Sequence, residues 1–139
     1  MTAPDRPALA RAMIDIWNSG ERDLALHLPA YADPAIELES PFSSLNGAPY
    51  EGYAGIEQWT RDVDEQFVSW LITIHELREV GDLVVAIVTV SGQGRRSDFT
   101  AEFPSSSIWE FGEDDRVRRV RIYSGHQRAL EIAAFEEQG

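Results

Sequence analysis

Two glutamates and a histidine are the side chains that this sequence offers for proton transfer. Glu37 and Glu39 alternate with Ile36 and Leu38 in a short predicted strand, and a one-residue slip of register would turn Glu39 inward. A carboxylate that is desolvated in this way could act as a general base. The alternative is that both glutamates lie on the outer face, near the arginines of the last predicted strand. His27 closes a predicted short helix, where it is either a second proton-transfer candidate or a surface cap.

Residues 99–111 alternate between apolar and polar side chains with a period of two, which predicts a strand with one covered face. The covered face would carry Phe99, Ala101, Phe103, Ser105, Ser107, Trp109 and Phe111. The opposite face, predicted to be wet, would carry Thr100, Glu102, Ser106 and Glu110. Inward serines favour a pocket over a solid core, because a buried hydroxyl without a partner costs free energy. The alternative is that the aromatic side chains only fill a core.

The same alternation on the other predicted elements extends this face to a complete pocket lining. An apolar wall with scattered hydroxyl groups suits an uncharged, ring-containing ligand. The predicted lining consists of Met13, Trp17, Leu38, Ser40, Tyr53, Trp59, Phe103, Ser105, Ser107, Trp109, Val120, Ile122 and Ser124.

Length and charge limit the classes of partner. With 139 residues the chain has the size of a single domain, predicted to span 1–139 with its core at about 7–135. Twelve basic and 24 acidic residues give a net charge of −12, which repels nucleic acid and anionic lipid, so neither is an expected partner. The chain has no cysteine, no stretch of signal-peptide type and no apolar run long enough to span a bilayer. We therefore expect a cytoplasmic protein.

No motif for a metal, a cofactor or a nucleophile stands out. The three histidines lie far apart and without the spacing of zinc or iron ligands, which predicts no metal and no other cofactor. Gly92 and Gly94 belong to a turn between two predicted strands, which is not the context of a phosphate-binding loop. The serines at 105–107 follow no nucleophile-elbow pattern, so nucleophilic hydrolysis is not indicated.

Hydrophobic periodicity predicts an α+β fold. Helices are predicted at 7–18, 22–28, 56–70 and 127–135, and strands at 36–40, 71–80, 83–91, 97–111 and 117–123. Residues 41–55 are predicted to be a long loop. Short turns between the last four strands favour an antiparallel meander, with the helices on one face of the sheet.

Four segments in this order resemble the SnoaL-like branch of the nuclear transport factor 2-like superfamily, which includes proteins of the polyketide cyclase and ketosteroid isomerase fold. They are 17–21 (WNSGE), 31–38 (YADPAIEL), 50–59 (YEGYAGIEQW) and 120–123 (VRIY), and the resemblance covers about 7–135. It implies a cystatin-like α+β barrel, in which a strongly curved antiparallel sheet wraps as a cone around three helices. The resemblance also implies a cavity that opens at one end, and frequent dimerisation through the outer sheet face.

The positions that carry catalysis in members of this family hold other residues here. The resemblance places Ser40, before Pro41, where isomerase-like members have a base carboxylate, and Met13 and Ser107 where they have oxyanion donors. Ile122 stands where epoxide-hydrolase-like members have an aspartate. The usual catalytic acids of the family are therefore replaced.

Two functions remain open from the sequence. The first is a cofactor-independent isomerase, cyclase or dehydratase, which is a lyase, acting on a hydrophobic ring-containing metabolite with Glu39 or His27 as its acid–base group. The alternative is a non-catalytic ligand-binding or structural dimer. A homodimer is expected in either case, and Arg119 and Arg121 could meet acidic residues across its twofold axis or pair with Glu102 and Glu110 of the neighbouring strand.

Overall fold

A computed structural model describes residues 5–41, 48–95 and 100–138 of the chain. The described residues form a mixed α+β fold, as the sequence predicts. The predicted covered-face residue Phe99 and residues 42–47 of the predicted loop at 41–55 lie outside them. In chain order the elements are α1 (Arg6–Asn18), α2 (Leu24–Tyr31), β1 (Ala32–Glu39), β2 (Tyr50–Glu51), α3 (Gly52–Gln66), β3 (Phe67–Val80), β4 (Leu83–Gly94), β5 (Thr100–Phe111), β6 (Val117–Ser124) and α4 (Arg128–Gln138).

The six strands form one curved sheet, in the order β2-β1-β6-β5-β4-β3, which does not close into a complete barrel. Strands β3 to β6 make the predicted antiparallel meander. Strand β1 pairs with β6 in parallel, so the sheet is antiparallel except at this one pair of strands. Helices α1, α2 and α3 lie against the inner face, and the main hydrophobic core fills the space between them and the sheet.

Helix α1 contributes one buried face to this core, and its sequence determines where the helix begins. Asp5 caps its start by accepting a hydrogen bond from the main-chain N–H of Ala8 (3.4 Å), and a proline lies in the first turn, where its missing N–H is not needed. Ala10, Met13, Ile14 and Trp17 form its buried face at helical spacing. None of the described helices is both long and apolar enough to cross a bilayer.

The boundaries of α3 differ most from the prediction. The helix begins at Gly52 and ends at Gln66, so Trp70 lies in strand β3 and not in the helix. The early start depends on Gly55, because a Cβ there would lie 2.8 Å from the carbonyl carbon of Tyr50. The Tyr50 hydroxyl donates to Asp62 of α3 (2.5 Å), and burial together with this carboxylate raises the pKa of Tyr50 to about 12.

The closing helix corrects the expectation that all helices lie on one face of the sheet. Helix α4 packs on the outer face, where it covers a second apolar cluster that includes Ile108. Ser106, which was predicted to be wet, is completely buried there, and its hydroxyl oxygen accepts a hydrogen bond from the main-chain N–H of Ala129 (3.1 Å). The prediction failed because period two shows which residues share a face but not what packs on it.

Ion pairs hold the outer face of β6. Arg119 lies 3.2 Å from Glu39 of β1 and 3.3 Å from Glu110 of β5, so the expected cross-strand pairing to Glu110 occurs. No ion pair of Glu102 occurs among the described residues. Arg121 donates two hydrogen bonds of 2.7 Å to Glu136 of α4, which ties this helix to the sheet.

Candidate functional site

A cavity of about 290 Å³ lies between α1, α3 and the inner face of the sheet. Its wall combines aromatic and aliphatic side chains with short hydroxyl groups. The lining residues are Ile14, Trp17, Ser40, Pro41, Trp59, Val63, Phe67, Trp70, Ile72, Val88, Val90, Phe103, Pro104, Ser105, Ser107, Trp109, Val120, Ile122, Tyr123 and Ser124.

Five aromatic side chains form one side of the cavity, and we call them the aromatic wall: Trp17, Trp59, Phe67, Trp70 and Phe103. The ring centroid of Trp59 lies 5.0 Å from that of Trp17 and 5.9 Å from that of Trp70, both edge to face. The rings of Phe67 and Phe103 are 5.9 Å apart. Pairs of aromatic rings at these distances stabilise each other beyond the area that they bury.

Hydrogen bonds behind the aromatic wall fix its orientation. The Trp17 indole N–H donates to the buried hydroxyl of Thr60 (3.2 Å). The Trp70 indole N–H donates to Asp64 (2.8 Å), which also binds Arg22. The hydrogen bond from Arg22 is the largest of the effects that lower the pKa of Asp64, so this carboxylate stays ionised beneath Trp70. The Trp59 indole N–H is buried and has no acceptor among the described residues.

Four serines line the cavity from β5, from β6 and from the position after β1, and we call them the serine row: Ser40, Ser105, Ser107 and Ser124. Ser105 lies directly opposite Ser124 in the β5–β6 pair. Its hydroxyl donates to the main-chain carbonyl of Tyr123 (3.0 Å). The Ser107 oxygen accepts a hydrogen bond from the Trp109 indole N–H (2.9 Å).

The described lining carries no carboxylate, imidazole, ammonium or guanidinium group, and its one tyrosine, Tyr123, packs against the second apolar cluster under α4. A search of the described residues likewise finds no cluster of three or more side chains of the metal-ligating kind. The chemistry that this part of the wall can offer is therefore hydrogen bonding from neutral groups and contact with aromatic faces.

Most of the predicted lining residues surround the cavity, but Met13, Leu38 and Tyr53 do not. Met13 is 3% exposed and packs in the core, while its neighbour Ile14 faces the cavity. Leu38 is fully buried where α3 packs against β1, which leaves no open space beside it. The Tyr53 hydroxyl donates to the main-chain carbonyl of Ala32 (2.8 Å), which holds this side chain away from the cavity.

Neither predicted acid–base group lines the cavity. Glu39 points to the outer face and pairs with Arg119, which is the alternative that the sequence left open. His27 lies within α2 and not at its end as predicted, with its Nε2 atom 3.5 Å from a carboxylate oxygen of Glu21. Their predicted catalytic role has no support in these contacts.

Several lining residues were not predicted from the sequence. Val88 and Val90 alternate with Thr89 on β4, and Trp70 and Ile72 alternate on β3, so period-two patterning was a usable signal for all four. Trp70 was missed as a strand residue because the apolar stripe of α3 runs on into β3 without a break. The remaining unpredicted residues are Ile14, Pro41, Val63, Phe67, Pro104 and Tyr123.

An open, curved sheet around helices, with a cavity on its inner face, defines the class of small α+β proteins to which this chain belongs. Within that class, the sequence profile of the SnoaL-like domain matches residues 10–120. The chain is thus a member of the SnoaL-like family. A search of curated protein sequences finds no significant match.

Solved structures with the same fold share little sequence with the chain. A nuclear transport factor 2-like protein of unknown function from Burkholderia pseudomallei has a TM-score of 0.73 at 13% identity, over 94% of this chain and 98% of that one. TerC co-crystallised with polyporic acid has a TM-score of 0.72 at 18% identity, over 92% of this chain and 97% of that one. A protein from Shewanella denitrificans, provisionally described as a SnoaL-like polyketide cyclase, has a TM-score of 0.69 at 15% identity, over 96% of this chain and 99% of that one.

Proposed function

We propose that this protein binds an uncharged, mostly apolar, ring-containing small molecule in the cavity between α1, α3 and the sheet. The observation that carries the proposal is the composition of the cavity wall. The aromatic wall offers flat apolar surfaces and the serine row offers neutral hydrogen-bonding groups, while the described lining holds no charged side chain.

The physical chemistry of the wall favours this class of ligand. Aromatic faces and edges stabilise a second ring by stacking, in addition to the apolar area that is removed from water. A charged ligand would lose its hydration without gaining a counter-charge from the described lining, which is costly. The volume of about 290 Å³ lies near the lower end of the range of about 300–1,000 Å³ that is typical of ligand pockets, which favours a compact molecule.

One structural relative has been crystallised with a small molecule. TerC has been co-crystallised with polyporic acid, so a protein of this fold has been studied with a small organic molecule. At 18% identity this likeness concerns the fold, and the proposal for the present chain rests on its own wall.

The test uses N-phenyl-1-naphthylamine, an uncharged dye whose fluorescence rises in apolar surroundings. We expect saturable binding to the wild-type protein and loss of that binding in Val90→Trp, because Val90 lines the cavity and a larger side chain would fill it. Val68→Trp is the matched control, since Val68 is 57% exposed and lies outside the lining. Equal dye binding by all three proteins, or none by the wild type, would overturn the proposal.

A cofactor-independent isomerase, cyclase or lyase is the second candidate. It is favoured by the hydroxyl groups in the wall, because a positioned donor such as Ser107 can stabilise a developing oxyanion. Such an enzyme would also need a proton acceptor, and the described lining offers only hydroxyl oxygens for that role.

Proton abstraction can be tested separately from binding. Exchange of the hydrogens beside the carbonyl of 1-tetralone in deuterated buffer, followed by NMR, measures enolate formation directly. Binding of this ketone without exchange above the buffer rate is the result expected for a ligand-binding protein. Exchange that is accelerated by the wild type but not by Val90→Trp would favour the enzyme.

A further inference from the structure

We infer that the cavity selects ring compounds with two neutral polar groups of opposite kind: a hydrogen-bond acceptor, such as a ketone, that meets Ser107, and a donor, such as a hydroxyl, that meets Ser105. This inference rests on the proposed function and names its ligand class as an uncharged hydroxy-ketone.

Ser107 is set as a donor towards the cavity by its contact with Trp109. An indole N–H can only donate, so the 2.9 Å contact requires the Ser107 oxygen to accept. The hydroxyl proton of Ser107 meets no other acceptor among the described residues. Ser107 is only 8% exposed and lines the cavity, so a ligand is the partner that can complete its hydrogen bonding.

Ser105 is set as an acceptor by the opposite logic. A main-chain carbonyl can only accept, so the 3.0 Å contact with Tyr123 requires the Ser105 hydroxyl to donate its one proton there. The Ser105 oxygen therefore presents only its lone pairs to the cavity. A ligand group that meets Ser105 is therefore stabilised when it is a donor.

The two serines also differ in depth, which orients the ligand. They share one face of β5 two residues apart, about 7 Å along the strand. Ser107 is buried between Ala86 of β4 and Ile122 of β6, whereas Ser105 is half-buried and follows the exposed Pro104. The acceptor end of the ligand would thus enter first, and its donor end would remain nearer the mouth.

Four compounds with one ring skeleton test this selectivity by displacement of N-phenyl-1-naphthylamine: tetralin, 1-tetralone, 6-methoxy-1-tetralone and 6-hydroxy-1-tetralone. One neutral hydrogen bond corresponds to a gain in affinity of about threefold to tenfold. We expect 1-tetralone to bind more tightly than tetralin by about this factor. The hydroxy-ketone should gain a similar factor over its methoxy analogue, which cannot donate.

Two variants assign the gains to their residues. Ser107→Ala should remove the advantage of 1-tetralone over tetralin, measured as the ratio of the two dissociation constants in the same variant. Ser105→Ala should remove only the advantage of the hydroxyl over the methoxy compound. The exposed Ser69 provides the control Ser69→Ala, which should change nothing. If Ser107→Ala unfolds, Ser107→Cys takes its place in this comparison, because it keeps a side chain of similar size with a weaker donor.

The possible failures are distinguishable. Equal affinity of the wild type for all four compounds, or an equal loss for all four in Ser107→Ala, would overturn the hydrogen-bond assignment and leave the proposed function standing. Failure of the wild type to bind both the dye and tetralin would overturn the proposed function, and this inference with it.

Discussion

The side-chain amide of Asn18 makes both hydrogen bonds of the Ile72 main chain at the free edge of the sheet. Its Nδ2 atom donates to the Ile72 carbonyl and its Oδ1 atom accepts from the Ile72 N–H, both at 2.8 Å. Strand β3 is the edge strand of the described sheet, so these two groups meet no neighbouring strand among the described residues. The last residue of α1 thereby takes the place of a strand partner and protects an edge that could pair with another chain.

Replacing this asparagine should destabilise the sheet edge. Asn18→Leu leaves two partly buried main-chain groups without partners, and we expect a loss of about 1–3 kcal/mol in the free energy of unfolding. Urea denaturation measures the loss, and hydrogen exchange of the Ile72 amide should accelerate. Ser19→Ala is the control, since Ser19 is exposed and bonds only within its own helix end. An unchanged exchange rate at Ile72 would contradict this assignment.

Glu39 and His27 should not affect binding in the cavity. Glu39→Gln removes an outer-face ion pair with Arg119, which is partly exposed and contributes about 0–1 kcal/mol. His27→Gln alters a surface contact on α2. Dye affinity in both variants is expected to stay within about twofold of the wild type. A large loss of dye affinity in Glu39→Gln at unchanged stability would show that Glu39 belongs to the binding site.

Gly92 lies beneath the aromatic wall and sets the position of Phe67. A Cβ at this residue would come within 2.5 Å of the Phe67 ring, which would have to move. Because Phe67 lines the cavity, Gly92→Ala should weaken dye binding severalfold, with an overpacking cost of about 1–3 kcal/mol.

A second substitution tests the cause of that effect. Phe67→Leu on the Gly92→Ala background removes the ring that the new methyl group meets, so it should recover part of the lost stability. If the double variant loses at least as much unfolding free energy as the two single variants added together, contact with Phe67 is not the origin of the loss.

The Arg121–Glu136 pair should make the docking of α4 sensitive to acid. The hydrogen bonds from Arg121 are the largest cause of the lowered pKa of Glu136. Since the folded-state pKa lies below the ordinary value of 4.5, the pair's contribution is fully present above that pH and is lost as the pH falls through the lowered pKa. The Glu136 side chain is 41% exposed, so solvent screens the pair, and Glu136→Gln should be less stable than the wild type by at most about 1 kcal/mol at neutral pH. The difference should shrink as the pH falls below 4.5.

Denaturation curves across this pH range measure that difference. Glu131→Gln is a matched control on the same helix, because its contact with Arg128 is exposed at both ends. A stability difference between Glu136→Gln and the wild type that stays constant from neutral to acid pH would exclude the linkage.

The homodimer that the family resemblance implies remains a prediction, and the exposed outer face of β3 gives it a test. Leu71 is 49% exposed there and lies beyond the part of the outer face that α4 covers. If this surface forms the interface, Leu71→Glu should raise the dimer dissociation constant at least about tenfold, because it buries a charge.

Sedimentation equilibrium measures the dimer dissociation constant. Leu26→Glu is the control, since Leu26 is 74% exposed on α2, away from this surface. Equal association of the wild type and both variants would place the interface elsewhere, and a monomeric wild type would rule out the dimer.

Strand β5 shows most clearly which structural features the sequence predicts and which it does not. Alternation correctly grouped Ser105, Ser107 and Trp109 on one face, because side-chain direction along a strand is a local property. It misjudged Ser106, because its burial depends on α4, which folds back over the outer face from the far end of the chain. It also left the direction of Glu39 open, since a strand's register is fixed by its partners.

The sequence by itself thus determined the fold class through local periodicity and the family through four segments that resemble it, and it predicted an apolar pocket with hydroxyl groups. The tertiary structure decided which residues face the cavity, as the exclusion of Leu38 beneath α3 illustrates. It also decided how the two inward serines are hydrogen-bonded, with Ser107 accepting from the Trp109 indole and Ser105 donating to the Tyr123 carbonyl. A hydroxyl can take either role, and only the partner that packing brings within about 3 Å decides between them.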